Sequence, residues 1–142
     1  YWLQRAKCTY LYAKEQSALE TAYTYAKKSY DDGGQDIHYK ASLTLSIICC
    51  AISEHEKGQD KINECRLAIR YANEAVFSDF YQQNNTSLQL DLDAKQGKSH
   101  SGIQMVVNAC NFIKQNSTDM EDVEISESVL DRLHKLSLEK NS

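Results

Sequence analysis

Apolar positions along this chain recur every three or four residues, in blocks divided by short polar runs, which is the period of amphipathic helices. In the first block, 1–15, the residues Leu3, Ala6, Tyr10 and Ala13 mark one buried stripe. Ser17 then begins S-A-L-E. In this pattern the serine hydroxyl accepts from the backbone at Glu20 and Glu20 reaches back, so it predicts the cap of a second helix over 18–31. Ala18, Ala22, Tyr25, Ala26 and Tyr30 share a face of that helix. The run DDGGQD ends it, with Gly33 expected in the left-handed conformation that helix C-termini favour. Asp36 is placed to cap a third helix over 37–57, whose middle, LTLSIICCAI, is apolar nearly all round. Its β-branched content suits a strand, but the flanks HYKAS and SEHEKG continue the helical pattern, and a helix without a polar face is one sandwiched between neighbours.

KGQD is a loop with Asp60 as the next cap, and a fourth helix follows over 61–79 with Ile62, Cys65, Ile69, Ala72 and Val76 on one face. Periodicity then fades: 81–100 reads as a polar connector, with room for a short helix over 86–95. A fifth helix is expected over 101–115, carrying Ile103, Val106, Val107, Cys110 and Ile113. QNSTDMEDVEIS reads as an acidic loop, with Ser126 capping a last helix over 127–139 whose Val129, Leu133 and Leu136 face inward. The predicted fold class is all-α, about six helices in antiparallel hairpins: two hairpins over 1–80, the connector 81–100, and a helical pair over 101–142.

Composition supports this reading. The chain has 142 residues, no proline and only five glycines, too little punctuation for many strands and tight turns. The net charge of −4 argues against a dedicated nucleic-acid or anionic-membrane binder, which needs a concentrated basic surface. No apolar stretch is long enough to span a membrane. The five cysteines (Cys8, Cys49, Cys50, Cys65 and Cys110) follow no ligand spacing and sit in apolar helical contexts, which points to reduced thiols and a cytoplasmic protein.

The second and fourth helices resemble each other. ETAYTYAKKSY aligns with RLAIRYANEAV at one constant offset, so that Ala22 falls on Ala68, Tyr25 on Tyr71 and Ala26 on Ala72. Small residues at such positions let helices of successive hairpins approach closely. The pattern resembles tetratricopeptide-like repeats, stacked in a short α-solenoid: Trp2, Ala6 and Ala18 match that family's tryptophan, small residue and alanine. Tyr25 stands where the family has its later alanine and Tyr30 where it has its closing proline, and the hairpin period exceeds the usual length of about 34 residues. More narrowly, YWLQRAK, ALETAYTYAKKSY and HYKASLTL look like the helical-repeat regions C-terminal to effector and NTPase modules in bacterial STAND-type and SIR2-associated defence proteins. That resemblance implies a sensor or regulatory region at the C-terminal end of a larger chain.

Catalytic patterns are incomplete. Gly97-Lys98-Ser99 ends like a phosphate-binding loop, but Leu92 stands where its first glycine belongs. His55-Glu56 lacks the second zinc-protease histidine, since Gln59 occupies that place. Cys50, Glu54 and His55 share a turn but lack a second ligand cluster, and His38, His100 and His134 read as surface histidines. Cys49 and Cys50 lie in the most apolar helix, where burial makes a thiol inert. Arg66, Arg70 and Glu74 read as a solvated stripe on the fourth helix, and STDMEDVEISES as a solvating acidic run. No catalytic residue, metal or cofactor is expected. The expected function is a non-catalytic protein–protein interaction module, or else a self-association tail of a multidomain enzyme. Its partner would be a protein or peptide, other domains of its own parent chain, or a second copy. Candidate contacts are residues off the buried stripes: Gln4, Lys7 and Lys14 on the first helix, Lys40 and Thr44 on the third.

Overall fold

The structure, a computed structural model, describes residues 1–78 and 102–141, with the side chains of 35, 36 and 136–141 excepted. Among the described residues there are six helices and no strand: α1 (Trp2–Leu11), α2 (Gln16–Asp32), α3 (Gln35–Ser53), α4 (Gly58–Val76), α5 (Gly102–Asn116) and α6 (Met120–Asn141). The protein is all-α, built from helical hairpins. The connector 81–100, with its expected short helix and the Gly97-Lys98-Ser99 motif, lies outside the described residues, as does the side chain of Leu136.

The apolar third helix occupies the centre, and every residue from Ala41 to Ser53 is buried. It packs most extensively on α4 and α2, and also on α5 and α1. This is the sandwich that its missing polar face requires. The stripes read from the sequence face inward: Leu3, Ala6 and Tyr10 on α1, Cys65, Ile69, Ala72 and Val76 on α4, Val106, Cys110 and Ile113 on α5, and Val129 on α6. Cys8 departs from its expected apolar setting and is exposed; the other four cysteines are buried.

The paired alanines Ala22, Ala26, Ala68 and Ala72 are all fully buried, and the two helices that carry them flank α3. The close approach is visible at Ala68, whose carbonyl accepts a 2.7 Å bond from the Ser46 hydroxyl on α3. A larger side chain there has no room without moving α3. Ala68→Leu is expected to destabilise the fold by about 1–3 kcal/mol. Leu67→Ala next to it, at an exposed position, should change stability by less than about 0.5 kcal/mol. Urea unfolding midpoints of the two variants measure the contrast.

The helix ends differ from expectation in a consistent way. None of the serine and aspartate caps inferred for α2, α3 and α4 stands before its helix. α2 starts at Gln16 with Glu15 as the extended capping residue, so Ser17 lies within the first turn, where its carbonyl accepts from Thr21 Oγ1. α3 starts at Gln35 and α4 at Gly58, which puts Asp36 and Asp60 inside their helices. Gly33 is extended (φ −79°, ψ 163°), not left-handed. Glycine is needed there for space, because a Cβ would fall 2.6 Å from the Ser29 carbonyl and 2.7 Å from Ile37 Cγ2. Among the described residues the left-handed glycine is Gly58, with φ 59°, at the start of α4.

The largest departure is α6. It begins at Met120, so most of the expected acidic loop is helix and Ser126 is a buried mid-helix residue, not a cap. Asp119 serves the helix start instead, its Oδ1 accepting from the Glu121 amide at 2.9 Å. The added turns carry Asp122 into the interior, where it meets Arg66 and Arg70 of α4. Those arginines therefore do not form a solvated stripe. Arg70 Nη2 donates to Asp122 Oδ1 at 2.6 Å, Ser117 Oγ donates to Oδ2 at 3.1 Å, and Arg66 Nε lies 2.7 Å from Oδ2 in a charge contact not aligned as a hydrogen bond. Farther along, Arg132 Nε donates to the Val76 carbonyl at 3.2 Å, placing a cation at the C-terminus of α4.

Candidate functional site

The helices α2, α3 and α4 present two polar features at opposite ends of the layer they form. One end holds the start of α2, the end of α3 and the first half of α4. Here a cleft of about 290 Å³ opens, with carboxylates from Glu20, Glu56 and Glu64, hydroxyls from Tyr23 and Thr24, and apolar walls from Ile52 and Leu67. Helical spacing puts Glu20, Tyr23 and Thr24 on one side of α2, and Glu64 and Leu67 on one side of α4.

The charges in this cleft are not neutralised from within. Burial raises the Glu64 carboxyl above its ordinary value and repulsion from Glu56 and Glu20 adds to this, while a bond with the Cys49 thiol works the other way. Its Oε2 is buried with no hydrogen-bond partner among the described residues. Glu56 is likewise raised, first by burial and then by Asp60 and Glu20. A positive group entering the cleft would relieve both repulsions and supply the missing partner at Glu64.

A second cavity, of about 250 Å³, lies between α3, α4 and α5, lined by Cys50, Cys65, Met105 and Phe112 together with Lys61 and Glu54. Burial pushes the thiols of Cys50 and Cys65 up, and that of nearby Cys110 to about 12. These sulfurs stay protonated at neutral pH, so the cavity holds no thiolate nucleophile. Among the described residues no group of three or more His, Cys, Asp or Glu is arranged to hold a metal ion. No described helix is long and apolar enough to cross a membrane.

At the other end of the layer sits His38, which is not the surface histidine expected. Its ring packs on Tyr30 at 4.0 Å between centroids, its Nδ1 lies 2.9 Å from the Tyr30 carbonyl, and its Nε2 bonds Glu74 Oε1. Tyr30 donates its hydroxyl to Glu74 Oε2 at 2.8 Å and Ser42 donates to the same oxygen at 3.2 Å. The two ends are joined by tyrosines: Tyr23 of the cleft meets Tyr71 hydroxyl to hydroxyl at 3.3 Å, and the Tyr71 ring stands edge-on to Tyr30.

The residues proposed from the sequence as partner contacts do not line the cleft. Gln4 is exposed on α1 and its amide donates to Cys8 Sγ at 3.8 Å. Lys7 is half-buried on α1, Lys14 is exposed in the connection after it, and Lys40 is half-buried in α3. Thr44 is fully buried, its hydroxyl on the Lys40 carbonyl at 3.0 Å, and this removes it as a contact of the folded chain. The error has a physical cause: α3 is covered on all sides, so it has no outer face at that position. The cleft residues carry a weak sequence signal, a glutamate on each of two echoing helices (Glu20 and Glu64) with a third on the loop after α3. Without knowledge of helix pairing nothing marks them as neighbours. Comparison with family models, with curated proteins and with solved structures finds no match for this chain.

Proposed function

We propose that the chain is a non-catalytic protein–protein interaction module of stacked, tetratricopeptide-like hairpins, and that it binds a peptide or protein segment presenting a lysine or arginine to the cleft between α2 and α4. The observation that carries this reading is the combination inside one cleft of un-neutralised carboxylates, at Glu20, Glu56 and Glu64, with the exposed apolar surface of Leu67. An aliphatic stem ending in a positive charge fits both parts. Helical hairpins suit the task because side chains on rigid helices hold a groove in shape before the partner arrives.

The test uses synthetic peptides with a central lysine or arginine flanked by leucine, and matched peptides with glutamine in place of the cation. Binding is followed by backbone amide shifts in the folded chain. The expected result is salt-sensitive binding of the cationic peptides, with shifts centred on Tyr23, Glu64 and Leu67. Glu64→Gln should weaken it about tenfold or more, the scale of one charge-assisted contact. Equal binding of the glutamine peptides, or shifts located elsewhere, would defeat the proposal.

A further inference from the structure

We propose that His38 is a pH-sensitive bridge between the two N-terminal hairpins, its doubly protonated ring tying the end of α2 to α4 through the Tyr30 carbonyl and the Glu74 carboxylate. The inference rests on donor and acceptor count and is independent of what the cleft binds. Nδ1 faces a backbone carbonyl at 2.9 Å and Nε2 faces Glu74 Oε1. A carbonyl and an ionised carboxylate can only accept. A neutral imidazole has one N–H and could satisfy one of them, leaving its lone pair against the other oxygen. Only the imidazolium serves both.

The surroundings favour the cation. The Tyr30 carbonyl belongs to the last turn of α2, where the helix dipole attracts positive charge. Glu74 is held in place by Tyr30 and Ser42, which leaves its carboxylate aimed at the ring. The titratable groups facing His38 are Tyr30 and Asp31 from α2, Glu74 from α4, and Tyr39 on α3 itself; Lys27 and Tyr71 stand one contact farther, against the Tyr30 ring. Burial alone would lower the His38 value, but the Tyr30 carbonyl, Glu74 and Asp31 outweigh it, so the net shift is upward. The folded chain thus holds this proton more tightly than the unfolded chain. The bridge contributes its full stabilisation below the ordinary histidine value of about 6.5 and loses it as the pH rises through the higher folded value. On deprotonation the ring keeps a donor for one of the two oxygens only, and the joint just beyond the Gly33-Gly34 turn rests on that bond and on the Tyr30 and Ser42 contacts to Glu74.

The test is a titration of the histidine ring nitrogens by ¹⁵N NMR on the full chain, native and urea-denatured. His38 is expected to show two N–H groups at the acidic end of the titration and a midpoint above that of the denatured chain. In Glu74→Gln the midpoint should fall toward the denatured value. A second measurement compares urea midpoints of the native chain and His38→Gln from about pH 5.5 to 8.5: the advantage of the native chain should shrink as the pH rises. A midpoint at or below the denatured one, or an identical pH slope in His38→Gln, would overturn the bridge. If His38→Gln does not fold, the titration of the native chain decides alone.

Discussion

Replacing Tyr10 with alanine is expected to destabilise the protein by about 3–5 kcal/mol, the cost of emptying a fully buried aromatic site. Tyr10 is fully buried on α1, and its hydroxyl reaches Met105 Sδ on α5 at 3.6 Å, 95 positions along the chain. The ring therefore fills space shared by the first hairpin and the C-terminal pair. The Met105 contact itself adds little, since a thioether is a weak acceptor. Tyr10→Phe keeps the volume and should cost less than about 1.5 kcal/mol. Thermal and urea unfolding of the two variants separate packing from hydrogen bonding. A Tyr10→Ala protein as stable as Tyr10→Phe would mean that the C-terminal pair does not lean on α1 in solution.

Asp122→Ala should cost about 2–4 kcal/mol at neutral pH, because it leaves the arginine pair on α4 facing a hole at the root of α6. The lower part of the usual range for a broken buried pair applies. The carboxylate is 1% exposed, but Arg66 and Arg70 keep 38% and 34% of their side-chain surface and can turn to water. Burial by itself would raise the Asp122 carboxyl; the bonds from Arg70 and Ser117 and the Arg66 guanidinium beside it outweigh that and hold the group below the usual carboxylate range. A depressed folded value contributes stability above the unfolded value of about 3.9, and that stability is lost as the pH falls through the folded value. Urea midpoints of the native chain should therefore drop on acidification below about pH 4 by more than those of Asp122→Asn. Equal drops in the two proteins would show that the arginines do not stabilise the ionised form.

Much of the fold was legible because it follows from period and composition. The stripes of α1, α4 and α5 needed only the spacing of Leu3, Ala6 and Tyr10, of Cys65, Ile69 and Val76, and of Val106, Cys110 and Ile113. The central place of α3 followed from its lack of a polar face. The misplacements cluster at helix ends, where capping residues suggested starts that the helices overran. The case of α6 explains why. TDMEDVEIS reads as solvated when its charges are counted alone, yet Arg66 and Arg70 supply partners from 52 to 56 positions away, and with them Asp122 can be buried within a helix.

The candidate site was less legible than the fold, for the same reason. Glu20, Glu56 and Glu64 are ordinary surface glutamates in sequence, and His38 an ordinary isolated histidine. Hydrophobic period acts within a single helix, and so the sequence by itself determined the helix class, the inward faces and the alanine echo between α2 and α4. The tertiary structure alone decided which polar groups meet. The antiparallel passage of α3 between α2 and α4 gathers three carboxylates at one end and sets His38 between a carbonyl and Glu74 at the other. Charge and hydrogen bonding act across space between helices, and no local pattern along the chain encodes those distances.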